Sequence, residues 1–152
     1  MLKKIIKTIV PVVFCASLGT FFRLISPKNN LNYENVFLSP PKEVFPVVWT
    51  LIYILIAISA YKFYSAPQFE ETQQKGMIIF YLDLVFNAFW NLFFFTLGNK
   101  VFALIWLFAL YFIAVSHFVT FKKVDKTSAY LLVPYLVWLV FATYLNFALV
   151  IK

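Results

Sequence analysis

The chain has 152 residues, of which 63% are hydrophobic, 22% aromatic and 12% charged, and its mean hydropathy is +0.86. Soluble domains carry about 25% charged residues, so this composition excludes an ordinary soluble protein and indicates a polytopic membrane protein. The formal net charge of +7 comes from residues in short loops and at the termini, which favours orientation in a membrane and contact with anionic lipid over nucleic acid binding.

The residue counts also exclude several kinds of chemistry. A single cysteine cannot form an internal disulfide, and with a single histidine it cannot build a metal site of three or four nitrogen and sulfur ligands. Three scattered glycines exclude a Walker loop and a dinucleotide-binding fingerprint. No metal site is therefore predicted.

Five runs with few or no charges follow one another along the chain. About 20 helical residues cross a hydrocarbon core of about 30 Å, so each run is a candidate transmembrane helix. The sequence predicts an all-α membrane protein, a five-transmembrane-helix bundle in one domain covering residues 1–152. The predicted spans are 5–24, 44–64, 77–97, 101–121 and 128–151.

The first span and the loop after it are predicted as follows. No A-x-A-like cleavage site follows the basic start, so we expect the span to remain in the protein. Cys15 lies there with Ala16, Gly19 and Thr20 and is predicted to be a small packing residue. The next connection, residues 25–43, is rich in Asn, Ser and Pro, and a loop of this length is often a lid or a binding element.

Basic residues flanking the spans predict the orientation of the bundle. The N-terminal side of the bundle carries eight basic residues and the opposite side five, which favours a cytoplasmic N-terminus. The N-terminal side collects Lys3, Lys4, Lys7, Lys62, Lys75, Lys122, Lys123 and Lys126, and the opposite side collects Arg23, Lys28, Lys42, Lys100 and Lys152.

The second span begins "SPPKEVFPVVWTLIY", with prolines before or within its first turns, where they need not interrupt the helical hydrogen bonds. Phe45, Trp49 and Tyr53 then recur every four residues. Such a stripe is either the aromatic wall of a binding cavity or ordinary packing. The link that follows, residues 65–76, is polar and is predicted to be exposed.

The third span contains "FYLDLVFNAFWN", which places Asp83, Asn87 and Asn91 at four-residue spacing on one helical face together with Trp90. Ionisable groups at membrane depth normally face protein or water. Asp83 and Asn87 therefore either line a polar pocket or hydrogen-bond neighbouring helices. For Asn91 we expect the second role.

Two features stand out in the last two spans. His117 lies four residues from the end of the fourth span, which favours a position at the membrane interface. In the fifth span, Pro134 deprives the Tyr130 carbonyl of its usual donor and is predicted to kink or open the early helix. Pro134, Trp138, Ala142 and Asn146 share one four-residue ladder, and Ala142 leaves room beside Trp138, either for a flat ligand or for close helix packing.

Three of these segments together resemble the TspO/MBR family of tryptophan-rich sensory or translocator proteins, and the similarity extends over nearly the whole chain. They are "PPKEVFPVVWTLIY", "NAFWNLFFF" and "LLVPYLVWLVFATYLNF". The chain departs from the family where Phe37 and Leu38 replace the tryptophan that many members carry before the Pro-Pro pair, and where Asp83 stands in place of Gln. The sterol-recognition pattern requires a basic residue within five positions after a tyrosine. It fails here, because the first basic residue after Tyr144 is Lys152.

The resemblance implies a cavity among the helices, capped by the first loop, that binds tetrapyrroles such as protoporphyrin IX, sterols, and isoquinoline or benzodiazepine-type ligands, with no required cofactor. It also implies a homodimer in the lipid bilayer, in a bacterial cell membrane. Pro40 and Pro41 would fix the lid, and Trp49 and Trp138 would be the catalytic residues if porphyrin is degraded in light. The implied ligand-binding residues are Phe45, Trp49, Tyr53, Asp83, Asn87, Trp90, Trp138 and Ala142.

Three functions remain open at this point, besides that of a purely structural partner protein. The favoured one is a membrane receptor or sensor that binds porphyrin-like ligands, because an aromatic cavity with a few polar groups suits a flat ligand. The second is light- and oxygen-dependent porphyrin degradation by cavity tryptophans, although no general base or metal group supports ordinary enzyme catalysis. The third is transport, with Asp83 as a coupling group, which the absence of an inverted repeat disfavours.

Overall fold

The computed structural model of the chain describes residues 1–28 and 36–152. All regular structure in these residues is helical, and five helical segments are long and apolar enough to cross a membrane. The predicted five-helix bundle is thus confirmed. The helices are α1 (Leu2–Leu24), α2 (Val44–Ser65), α3 (Glu70–Asn91) with a π-helical turn (Leu92–Thr96), α4 (Lys100–Lys122), α5 (Lys126–Tyr130) and α6 (Val133–Val150).

The start of α3 differs from the prediction. Much of the link at residues 65–76 is helical, because α3 begins at Glu70. Glu70 and Glu71 lie in the first turn, where negative charge complements the helix dipole, and Lys75 Nζ lies 2.6 Å from Glu71 Oε1. Hydropathy shows where a helix enters the bilayer, whereas these polar contacts extend the helix beyond it.

The fifth span is divided into two helices, as Pro134 predicts. α5 ends at Tyr130 and α6 begins at Val133 with Pro134 in its first turn, where the missing N–H costs no hydrogen bond. The hydroxyl of Ser59 on α2 donates to the Ser128 carbonyl oxygen of α5 at 2.7 Å. The early part of the fifth span is therefore held against α2.

Polar side chains fix neighbouring helices at defined heights. Trp106 Nε1 on α4 donates to the Phe86 carbonyl oxygen of α3 at 2.8 Å. The buried amide of Asn146 on α6, oriented so that both of its atoms are satisfied, donates to the Lys100 carbonyl oxygen at 3.1 Å and accepts from the Leu104 N–H at 2.9 Å. These bonds hold α4 between α3 and α6.

The outer surface of the bundle is largely apolar. Large side chains such as Phe14, Phe112 and Val137 are more than half exposed. Contiguous apolar surface of this extent is unfavourable in water and suits the hydrocarbon core of a bilayer. Together with the five spans, it makes this an integral multi-pass membrane protein.

Candidate functional site

A cavity of about 650 Å³ opens between the C-terminal half of α1 and the N-terminal half of α2. Its volume lies within the range of small-molecule sites, about 300–1,000 Å³. Residues from the end of α3 and from the π-helical turn close it on the inner side. Its lining consists of Ala16, Gly19, Thr20, Arg23, Leu24, Ser26, Lys28, Phe45, Pro46, Trp49, Thr50, Tyr53, Asn91 and Phe95.

The aromatic stripe of α2 forms one wall of this cavity. Phe45, Trp49 and Tyr53 all line it, because residues four apart lie above one another on a helix. The rings of Trp49 and Tyr53 stack with their centroids 5.5 Å apart at 29°. The structure therefore places these three predicted site residues together on a cavity, and their contact with a ligand stays a prediction.

Trp138 and Ala142 of α6 lie behind that wall and not on it. The Trp138 ring meets the rings of Phe45 and Trp49 edge-on, with centroids 5.5 Å and 6.3 Å away. Ala142 is buried. Trp138 thus supports the cavity wall from behind.

Trp90 likewise supports the cavity from behind. Its side chain is buried and stacks on Phe94, with ring centroids 4.9 Å apart, and it meets Phe95 edge-on at 5.8 Å. Phe95 lines the cavity. Although Trp90 shares a helical face with Asn87, its side chain therefore packs against the π-helical turn and does not reach the cavity opening.

A buried chain of hydrogen bonds leads from the cavity wall into the bundle. Tyr53 donates its hydroxyl to Asn87 Oδ1 at 2.7 Å, and Asn87 Nδ2 donates to the Tyr135 oxygen at 3.2 Å. Tyr135 donates to Asp83 Oδ1 at 2.8 Å, and Asp83 Oδ2 lies 2.7 Å from His117 Nδ1. Asp83 and Asn87 thus hydrogen-bond neighbouring helices, and only Tyr53 at the end of the chain borders the cavity.

The interfacial position predicted for His117 is wrong. Its side chain is completely buried, and the rings of Phe80 and Phe121 lie against it with centroids 5.8 Å and 4.2 Å away. Counting residues from the end of a span gives the position of a residue along its helix but not its partner. The partner is Asp83, whose carboxyl group at membrane depth needs one.

Asn91 also differs from expectation. Its Nδ2 donates to the Asn87 carbonyl oxygen of its own helix at 3.1 Å, and no hydrogen bond to another helix is seen within residues 1–28 and 36–152. The side chain lines the cavity, where a Cβ added to Gly19 would lie 3.1 Å from Asn91 Nδ2. Asn91 is therefore a polar group of the cavity surface.

The α1 side of the cavity was not predicted. Ala16, Gly19 and Thr20 line it, and Arg23 follows one turn later. Small residues at this spacing form a shallow helix face, and the prediction for this segment was limited to packing at Cys15. The signal that could have identified the wall is the combination of a small-residue face with a basic residue at its end.

The predicted lid is only partly described, because residues 29–35 lie outside the described residues. Pro40 is half-buried, Pro41 is exposed, and neither lines the cavity. The Pro41 carbonyl oxygen accepts from the Val44 N–H at 3.0 Å, which helps to start α2. Tyr144 on α6 donates to the Phe37 carbonyl oxygen at 2.8 Å and fastens the end of this loop to the bundle.

Comparison with known proteins gives a consistent result. The model of the TspO/MBR family matches residues 8–151. The chain is 28% identical to the tryptophan-rich protein TspO of Chlorobaculum tepidum, over 98% of this chain and 97% of that protein. It is 32% identical to the protein of the same name in Archaeoglobus fulgidus (96% and 94% covered) and 30% identical to the tryptophan-rich sensory protein of Cereibacter sphaeroides (88% and 82% covered).

Proposed function

Because the chain belongs to the TspO/MBR family of membrane proteins, we propose that it is a membrane receptor or sensor that binds porphyrin-like ligands in the cavity between α1 and α2. The observation that carries the proposal is the stacked pair of Trp49 and Tyr53 on the wall of a cavity of about 650 Å³. Aromatic side chains supply large flat contact areas, and a flat macrocycle offers a matching surface.

The site has the composition expected for a ligand that is mostly apolar. The α2 wall is aromatic, the α1 wall has small side chains that leave space, and most of the lining surface is apolar although several of the lining residues carry a polar group. Trp138 and Trp90 brace the aromatic wall and the inner end, so the rings that line the cavity have little freedom to move. A preorganised wall reduces the entropy that binding must overcome.

Titration of the protein with protoporphyrin IX in lipid nanodiscs tests the proposal. We expect saturable quenching of tryptophan fluorescence, with an affinity about 2- to 10-fold weaker in Trp49→Leu, because aromatic contacts contribute about 0.5–1.5 kcal/mol each. Trp106→Phe is the matched control, since Trp106 lies between α3 and α4 and does not line the cavity. An unsaturable response that is the same in protein-free discs would reject the proposal.

Light- and oxygen-dependent porphyrin degradation is a second candidate, favoured by the contact between Trp49 and Trp138. One indole lines the cavity, and the other meets it edge-on at 6.3 Å, so two oxidisable rings adjoin the place of a bound macrocycle. The expected result is loss of the Soret band in light and air that is faster than for free porphyrin and slows in the double variant Trp49→Phe/Trp138→Phe. Equal bleaching with the wild type, the double variant and Trp106→Phe would leave binding as the function.

A further inference from the structure

We propose that the ligand of this cavity is amphiphilic and carries an anionic group, a carboxylate or phosphate, that is bound at the cavity mouth by Arg23 and Lys28. This inference rests on the proposed function and specifies the chemical class of its ligand. Arg23 and Lys28 are the charged side chains among the described residues that line the cavity, and both are cationic.

The guanidinium group of Arg23 is held beside the cavity. Arg23 lies in the last turn of α1 and is half-buried, and its Cζ atom lies 5.8 Å from the centroid of the Phe95 ring, which also lines the cavity. The C-terminal end of a helix favours a cation, and an aromatic face orients a guanidinium group. The position of Arg23 is thus fixed before any ligand is present.

These two cations are available to a ligand. Over residues 1–28 and 36–152, the described acid–base pairs are the salt bridge of Lys75 with Glu71 and the hydrogen-bonded pair of His117 with Asp83, and neither involves the cavity mouth. The planar guanidinium group forms paired hydrogen bonds to carboxylate and phosphate oxygens. Arg23 is therefore suited to an anionic partner that the described part of the chain does not supply.

The hydroxyl groups of the lining have no hydrogen to offer an anion, because each hydroxyl hydrogen is already donated within the protein. Each threonine or serine donates to a backbone carbonyl of its own helix or turn, and the tyrosine donates to Asn87. The donors are Thr20 (2.8 Å), Ser26 (2.6 Å), Thr50 (2.7 Å) and Tyr53 (2.7 Å). An anion at the mouth would thus take its hydrogen bonds from Arg23 and Lys28 and not from these hydroxyl groups.

The cavity therefore has two chemically different ends. Trp49 and Tyr53 offer stacked aromatic surface, and Arg23 and Lys28 offer positive charge about where α1 ends. A ring system with an acidic edge satisfies both ends at once. The phosphate of a phospholipid headgroup shares the anionic chemistry, so an experiment must separate the two sources.

The test compares protoporphyrin IX with its dimethyl ester, which has the same macrocycle without the carboxylates. In phosphatidylcholine nanodiscs, corrected for partitioning into protein-free discs, we expect the wild type to bind the diacid about 10-fold tighter or more, because hydrogen bonds to charged groups are the stronger kind. In the double variant Arg23→Gln/Lys28→Gln, the affinity for the diacid should fall to that for the ester, while the affinity for the ester should be unchanged. Arg23→Lys should keep part of the preference.

Three controls make the outcome decisive. Lys3→Gln/Lys4→Gln removes the same net charge at the opposite end of α1 and should keep the preference. Discs containing phosphatidylglycerol show the source of the anion. A preference that persists there assigns the site to the ligand's own carboxylates, and one lost only there also supports the anion site but identifies the headgroup of an anionic lipid as its competitor. Equal binding of diacid and ester by the wild type overturns this inference alone, whereas binding of neither overturns it together with the proposed function.

Discussion

Asp83 shows how a single side chain at membrane depth determines its surroundings. A carboxyl group there is costly unless it is hydrogen-bonded, and Tyr135 and His117 bond its two oxygens at 2.8 Å and 2.7 Å. The three residues come from three different helices, α6, α3 and α4. One carboxyl group therefore fixes the relative positions of three helices, next to the wall that carries Tyr53.

We predict that His117→Leu destabilises the bundle by about 3–5 kcal/mol, because removing one partner of a buried pair leaves the other without compensation. The double variant Asp83→Leu/His117→Leu should recover part of this loss, since no buried carboxyl group is then left without its histidine partner. Unfolding in mixed detergent micelles measures the effect, with Ser116→Ala as the control, an exposed neighbour whose hydroxyl bonds only its own helix. If the stability of His117→Leu lies within about 1 kcal/mol of that of the wild type, a structural role for the pair is contradicted.

At the scale of helices, α2 and α3 pack tightly where Gly76 faces Phe63. A Cβ atom added to Gly76 would overlap the Phe63 ring, far inside van der Waals contact. The ring cannot move aside easily, because it is completely buried and stacks on Phe121 with centroids 3.9 Å apart at 2°. The absence of a side chain at Gly76 thus sets the distance between the two helices.

Gly76→Ala should therefore lower the stability by at least about 1–3 kcal/mol, the usual cost of overpacking a core. Phe63→Leu in the same chain should restore part of the loss, because a smaller side chain makes room for the added methyl group. Gly19→Ala is the milder comparison, since its Cβ would lie 3.1 Å from Asn91 Nδ2, at the cavity surface. Thermal unfolding in detergent should show the largest loss of stability for Gly76→Ala and smaller losses for Gly76→Ala/Phe63→Leu and for Gly19→Ala. A fully stable Gly76→Ala protein would contradict the close approach.

The limits of sequence-based prediction also lie at this scale. The spans could be predicted because membrane crossing requires long apolar runs, and the break before α6 because Pro134 lacks an N–H. Four-residue spacing correctly gathered Phe45, Trp49 and Tyr53 on one face of α2. It could not tell which helix that face meets, because packing of the whole bundle decides this. For the same reason, spacing could not show that Trp138 lies behind the wall or that Arg23 lies at the mouth of the cavity.

For the whole molecule, the apolar exterior and the charged ends define a protein that lies across a bilayer. Its cavity opens near the C-terminal end of α1, where Arg23 and Lys28 lie, and so on the side opposite the N-terminus. The orientation of the bundle therefore decides from which compartment an anionic ligand would enter. The homodimer and the bacterial cell membrane implied by the family resemblance stay predictions.

The distribution of basic residues, eight on the N-terminal side and five on the other, predicts that the N-terminus is cytoplasmic and that the cavity mouth faces away from the cytoplasm. Single cysteines test this in a Cys15→Ser background, because Cys15 is buried and its thiol donates to the Leu84 carbonyl oxygen at 3.1 Å, a bond that serine retains. In right-side-out membrane vesicles, a membrane-impermeant maleimide should label Lys152→Cys at once. Lys3→Cys and Lys123→Cys should react only after the vesicles are permeabilised.

Inside-out vesicles supply the matched control, since there the labelling should be reversed at all three exposed positions. If Lys3→Cys reacts first in right-side-out vesicles, the bundle has the opposite orientation, and the mouth with Arg23 and Lys28 opens to the cytoplasm. The anion preference of the cavity would be unchanged by that result, because it depends on the residues at the mouth. The compartment that supplies the ligand would change, so labelling and the diacid–ester comparison together identify both the ligand's chemistry and its route of access.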